Sequence, residues 1–521
     1  MIKRKEEMKT LIKASMLITG IGLLMACTSE NAQQQGDIQR GGENVVATFT
    51  GQHSDAMGKT RTIATHTKGD VAHVSWIPID RIWVKATNGV FYQSGPADTR
   101  TPSLEGPRAY FSLTAGEYGF NPVVHYTGAS TSYDRVNILS QQSGGAGSFA
   151  QLSNNGDCGS ATAVGGGGDY EFTLNHKASY LCLYPRFENV ATNPNVRLTK
   201  ITISSTGAPL AGTFDFADGK IKDKPALANG STTITAVLSD DHLPIATSDA
   251  NSYYFVLRPS STPQTLTVVY TIKDPTANVS VDVSKTITET FDEGKIYDYT
   301  AWLDKGIRDD SKTTFYYMWD AKQHYWWNHL NASGIPDGNS PQNETTDPQR
   351  YYNTVPGYKD VTGSAPAVSA TNSAANCPNV NEMIWYAKDG DPHWENTGLV
   401  MVHGHLYKGG GVWLKKKEKI SGYSTTHAPD GIDHTRSASR AYFRYENSVT
   451  HGRPGNTNDY FFLPALGNYY GKRPDGFGQF CAYWSSTPSF DSDAYYLFFD
   501  ENDTSLVYNT RFCGYPLFTA Q

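Results

Sequence analysis

At 521 residues the chain exceeds what one hydrophobic core supports, so about three domains are expected. A net charge of only −7 on that length gives no bulk field that argues for a nucleic-acid partner. Charged residues make up 18% and aromatics 12%, and this composition, with many Thr, Ser, Gly and Tyr, indicates mainly β architecture with long loops.

Lys3, Arg4, Lys5, Lys9 and Lys13 precede the apolar run Ala14 to Ala26. A basic segment before a stretch too short for a membrane span reads as a secretory signal, residues 1–26. Leu24-Met25-Ala26-Cys27 resembles a bacterial lipobox, although Met25 stands where a small or β-branched residue is usual. That resemblance implies lipidation of Cys27 and cleavage before it. Several acyl chains hold a protein to a membrane where one is marginal. Residues 27–44 are polar and read as a flexible tether.

From Val45 the chain alternates with period two, Val45, Ala47 and Phe49 against Val46, Thr48 and Thr50, as a half-buried strand does. Ile82, Val84 and Ala86 repeat the pattern. Gly and Pro clusters separate further short strands, and the glycine-rich stretch from Gly144 to Gly168 reads as a linker or long loop closing a first block, 45–168. A second block, 169–303, opens at Asp169. Val196 and Leu198 lie in one phase and Ile201 and Ile203 in the other, which predicts a bulge in one long strand. Strands centred on Phe255, Val268 and Val281 follow, with the spacing of a β-sandwich.

A third block, 312–521, has a different kind of core, because seven of the ten tryptophans fall after residue 312. Val380, Met383, Ile384 and Ala387 form a helical stripe, with Pro378 suited to its first turn. Tyr495, Leu497 and Phe499 share one face of a strand. With Cys27 lipidated, five cysteines remain. Sequence distance permits Cys158 with Cys182 and Cys481 with Cys513, and the connectivity stays open.

Ala47-Thr48-Phe49-Thr50, Asp80-Arg81-Ile82-Trp83-Val84, Leu174-Asn175-His176-Lys177-Ala178 and Gly212-Thr213-Phe214-Asp215 resemble the Bacteroidetes fimbrillin family. The resemblance spans residues 45 to 303 and implies two tandem transthyretin-like β-sandwiches. In the third block, Asn381-Glu382-Met383, Gly390 to Trp394, His405 to Gly410, Tyr460 to Gly467 and Tyr483-Trp484-Ser485-Ser486-Thr487 resemble the C-terminal domain of certain fimbrillin-family proteins. The last motif is also similar to a domain family related to C-type lectins and to formylglycine-generating enzymes, and the block itself reads as a mixed α+β domain. Together these imply a pilus-tip adhesin in the outer membrane and fimbrium, partnered by other pilin subunits.

The mechanism implied by that resemblance is strand exchange. An arginine-specific protease removes an N-terminal segment, and a neighbouring subunit's strand fills the exposed groove by β-augmentation. Arg61 is the preferred processing site, since a cut there removes Val45 to Thr50; a cut at Arg40 only severs the tether. Because the chain ends in the lectin-like block, it is expected to accept a donor strand and not to supply one. The alternative is a surface glycan-binding lipoprotein that does not polymerise.

Other constellations point less far. His403-Gly404-His405 has a spacing that could set two imidazoles on one strand face for a metal, but no further ligand motif accompanies it, and no metal or other cofactor is expected. Tyr483 and Trp484 read as core more than as a sugar platform, and Lys415, Lys416, Lys417 and Lys419 as a solvated hairpin. No phosphate loop, nucleophile elbow or paired-carboxylate signature stands out, so an enzyme is not expected. The ligand, a glycan or a host protein, is not identified by the sequence.

Overall fold

The computed structural model describes residues 44–53, 63–66, 68–69, 73–100, 107–143, 151–188, 195–242, 252–354, 368–436, 440–489 and 492–518. The architecture is mainly β. The alternation at Val45 becomes the strand Ala47–His53, with Ala47 and Phe49 buried and Val46 exposed.

The front sheet runs in the spatial order Phe91–Gln93, Trp83–Lys85, Val123–Tyr126, Gly159–Thr162, Asp169–His176, Ala47–His53, Arg108–Leu113. Asp169–His176 turns its corner: residues 169–174 pair with the opening strand, whereas Asn175 and His176 pair with Ser160 and Gly159. The bent sheet closes on one core that includes Phe49, Trp76, Val84, Phe111, Tyr126 and Phe172.

This corrects the boundary read at Asp169. Gly165 and Gly166 pair with Tyr170 and Asp169, and the two residues between, Gly167 and Gly168, both have positive φ. A two-residue turn with two positive φ values is the tight hairpin that matches strand twist. The end of the glycine-rich stretch is therefore a hairpin turn inside the front sheet and not a linker.

Behind it, two middle sheets enclose the largest core. One holds Tyr253–Leu257, Ser179–Arg186 and Ile296–Trp302; the other holds Thr233–His242, Arg197–Ser205, Gln264–Asp274 and Val279–Glu289. The register of Arg197–Ser205 shifts between Leu198 and Lys200 against both neighbours, the bulge that the change of phase predicts. Arg135–Ile138 pairs with Gly212–Asp215 and so stitches front to middle.

In the C-terminal region the helix Val380–Asp389 packs Val380, Met383, Ile384 and Ala387 against a core with Leu414, Tyr495, Leu497 and Phe499. Pro378 lies one residue before the helix cap. Asn379 is the cap: its side chain accepts from the backbone N–H of Asn381 and Glu382, while Glu382 accepts from the Asn379 N–H at 2.8 Å. The region meets the middle sheets in part at a hairpin tip, and Met401 and Leu406 beside it join the middle core. Buried Asp274 accepts from Leu406 N–H at 3.0 Å and from the His405 ring at 3.1 Å, and Asn195 donates to the Gly404 carbonyl at 2.6 Å.

The five cysteines among the described residues are buried free thiols, so neither disulfide that sequence distance permits is formed. Cys481 donates to the Leu463 carbonyl, and Cys513 lies 3.5 Å from the Thr510 hydroxyl. No helix among the described residues is long and apolar enough to cross a membrane.

Candidate functional site: the seat of the opening strand

The opening strand is an interior strand of its sheet. It runs parallel to Asp169–His176, with Thr48 opposite Asp169 and His53 opposite Leu174. On its other side it runs antiparallel to Arg108–Leu113, with Ala47 opposite Leu113 and Gln52 opposite Arg108. Both rows of its backbone groups are therefore committed to neighbours, and removing it would leave two unpaired edges facing a slot.

Three contacts lock the strand. The Phe49 ring stacks on Tyr170 with centroids 4.6 Å apart and meets the edge of Tyr118 at 5.4 Å. Gly51 fits because it has no side chain: a Cβ there would lie 2.4 Å from Cζ of Phe172. The Trp76 indole N–H donates to the Gly51 carbonyl at 3.0 Å and fixes that point from inside the core.

At the end of the strand a chain of polar groups begins. His53 Nδ1 lies 3.0 Å from Nε2 of His176, whose Nδ1 lies 2.9 Å from the buried Asp157 carboxylate. Asp157 accepts from Nδ1 of His176, and the other ring nitrogen of His176 faces His53. The Tyr180 hydroxyl donates to the same Asp157 oxygen.

The C-terminal region carries an open cleft lined in part by Phe315, Tyr317, Trp413, Tyr460, Phe462 and Pro464. Trp413 lies 5.2 Å from the Phe462 ring, and its N–H donates to Glu395 at 2.7 Å. Arg453 donates to the same oxygen at 3.1 Å and lies 5.3 Å from the indole centroid. Aromatic faces held by charged groups can take the apolar face of a polar ligand.

The residues singled out from sequence fall as follows. Cys27, Arg40 and Arg61 lie outside the described residues. His403 and His405 do not share a strand face: His403 and Gly404 are the two positive-φ residues of the hairpin turn between His393–Val402 and His405–Lys415. His403 is buried against the Tyr469 hydroxyl at 2.8 Å, and burial pushes its pKa down to about 3, with His324 and His405 adding to the shift. His405 goes to Asp274 instead. Trp484 and Tyr483 are core. Lys415 and Lys419 pair with Asp391 and Asp459. Sequence reasoning missed the Trp413 cleft, whose lining comes from separate strands and loops, and the His53–His176–Asp157 chain.

The geometry defines a class of protein: linked β-sheet units in which the first described strand fills an interior slot. No protein-family model matches the chain, and no curated protein matches it. Among solved structures the chain is similar to a candidate cell adhesion protein from Bacteroides ovatus, at 15% identity and TM-score 0.34, over 50% of this chain and 92% of the other. It is also similar to a fimbrial protein from Bacteroides ovatus, at 9% identity and TM-score 0.22, over 91% of this chain and 98% of that one. A third similarity is to the fimbrial anchor protein of Porphyromonas gingivalis, at 11% identity and TM-score 0.20, over 46% and 82%.

Proposed function

We propose that the chain is a surface-exposed fimbrial adhesin subunit, lipid-anchored at Cys27 to the outer membrane before assembly, whose opening strand is a placeholder. One observation carries this reading: a strand at the start of the described residues occupies an interior sheet position between two strands that follow it in the chain. A cut after Arg61 separates Ala47–His53 covalently from everything that holds it. The slot is then open to a donor strand from another subunit, whose backbone satisfies both edges. A cut at Arg40 leaves the strand attached and only frees the tether.

The remainder of the reading is a division of labour. Two transthyretin-like sandwiches receive and transmit the strand, and a lectin-like C-terminal domain meets a glycan or host protein through the Trp413 cleft. The cleft also serves the alternative, a glycan-binding lipoprotein that never polymerises.

The test treats the full chain with an arginine-specific protease, sequences the new N-terminus and follows assembly with a fimbrial subunit partner. The expected N-terminus is Thr62, with assembly only after the cut. Assembly of uncut protein sinks strand exchange. A glycan array on the full chain, with Trp413→Ala as the paired variant, tests the cleft. Binding lost in the variant supports it, and binding retained moves the ligand site elsewhere.

A further inference from the structure

Among the described residues, one group of metal-ligating side chains converges outside the seat: His66, Cys182 and Asp298, whose ligand atoms all lie within 4.8 Å of one another. Strand register brings two of them together. Cys182 is paired directly with Asp298 on one side and with Tyr254 on the other, and directly opposed residues project from the same face of a sheet. His66, just after the strand Ile63–Thr65, covers that row; its side chain is 0% exposed and that of Asp298 16%.

The His66 ring and the Asp298 carboxylate are both held by neighbours around the cluster. The Gly69 N–H donates to Oδ2 of Asp298 at 2.8 Å, and the carboxylate has the His66 ring and the Cys182 thiol as side-chain partners, so the three groups face one another. His66 Nε2 faces Asp298 at 3.5 Å, and its Nδ1 lies 3.4 and 3.5 Å from the Tyr184 and Tyr254 hydroxyls. One ring nitrogen directed at the site and the other held by outer partners is how metal-bound imidazoles are fixed.

We propose that His66, Cys182 and Asp298 form a zinc site, ligated through Nε2, Sγ and Oδ1, with water in the fourth position. The mixed nitrogen, sulfur and oxygen set suits Zn2+, whereas Ca2+ and Mg2+ take oxygen ligands. Zinc takes the place of the Cys182 thiol proton, which leaves to solvent. The same residue types could make a nucleophile and base, but the geometry opposes it. In such a relay the thiol and carboxylate address opposite ring nitrogens; here Asp298 faces Nε2 and the tyrosines stand at Nδ1. The metal ties His66 to the edge strand Ile296–Trp302, where Lys68 already donates to the Thr300 hydroxyl. This site stands independently of strand exchange.

The test strips the full chain with a chelator and titrates it with Co2+ as the probe, then with Zn2+. One equivalent of Co2+ should give a thiolate-to-metal charge-transfer band that Zn2+ abolishes. Cys182→Ser should remove the band, and His66→Gln and Asp298→Asn should weaken binding at least about tenfold. A wild-type chain without the band, or a band that survives in Cys182→Ser, overturns the proposal. Should Cys182→Ser fail to fold, His66→Gln decides by the same titration, and unchanged affinity overturns the site.

Discussion

Two strands of the molecule are built alike and placed differently. Ala47–His53 runs parallel to Asp169–His176, and Ile296–Trp302 runs parallel to Ser179–Arg186. Parallel neighbours cannot be joined by a tight turn, so each pair closes a long excursion of the chain. The first strand has a second neighbour, Arg108–Leu113, and is interior; the other lies at the edge of its sheet. Freeing Ile296–Trp302 covalently would need a cut on each side of it, while a single cut after Arg61 breaks the covalent link between the opening strand and the rest of the front sheet. The comparison teaches that connectivity, and not weak packing, decides whether one cut can free a strand covalently. Phe49 is as deeply buried as any residue of the front core.

The largest expected effect is at Phe49. Phe49→Ala removes the Tyr170 stack and leaves a cavity, costing about 3–5 kcal/mol, read as lost hydrogen-exchange protection in the front sheet. If protection there is unchanged, the opening strand does not hold the sheet together. Gly51→Val comes next. The added atoms must displace the Phe172 ring, at about 1–3 kcal/mol, and after cleavage the strand should leave its slot faster, measured by size-exclusion of the released peptide. At the edge strand the stakes are smaller. The Tyr297 hydroxyl accepts from Asp292 N–H at 2.9 Å and donates to the Thr290 carbonyl at 2.6 Å. Tyr297→Phe should cost about 1 kcal/mol, with exchange quickened locally and the opening strand untouched. Gln52→Ala, which loses only an exposed bond to Thr173, should stay within about 0.5 kcal/mol in a thermal melt.

Much of this was legible where the physics is local. The alternation at Val45 gives a strand, the switch of phase after Leu198 gives a bulge, and the stripe from Val380 gives a helix, because each follows from side-chain period alone. Sequence reading failed where the decisive partner is distant or the backbone special. Nothing in Ala47–His53 says that it lies between residues 108–113 and 169–176. The glycines before Asp169 look like a linker until two of them are seen to make a hairpin. His403 looks like a metal ligand, yet it stands in a turn that turns it away from His405. The row of Tyr254, Cys182 and Asp298 exists only once three strands are in register.

Native mass spectrometry of the protease-cut chain, incubated with an excess of isotope-labelled peptide copying residues 44–61, tests the removable strand most directly. The predicted result is one labelled peptide taken up per cut chain, with the original segment released and none taken up by intact protein. A cut chain that keeps its own segment against the excess, or unfolds as that segment leaves, contradicts it.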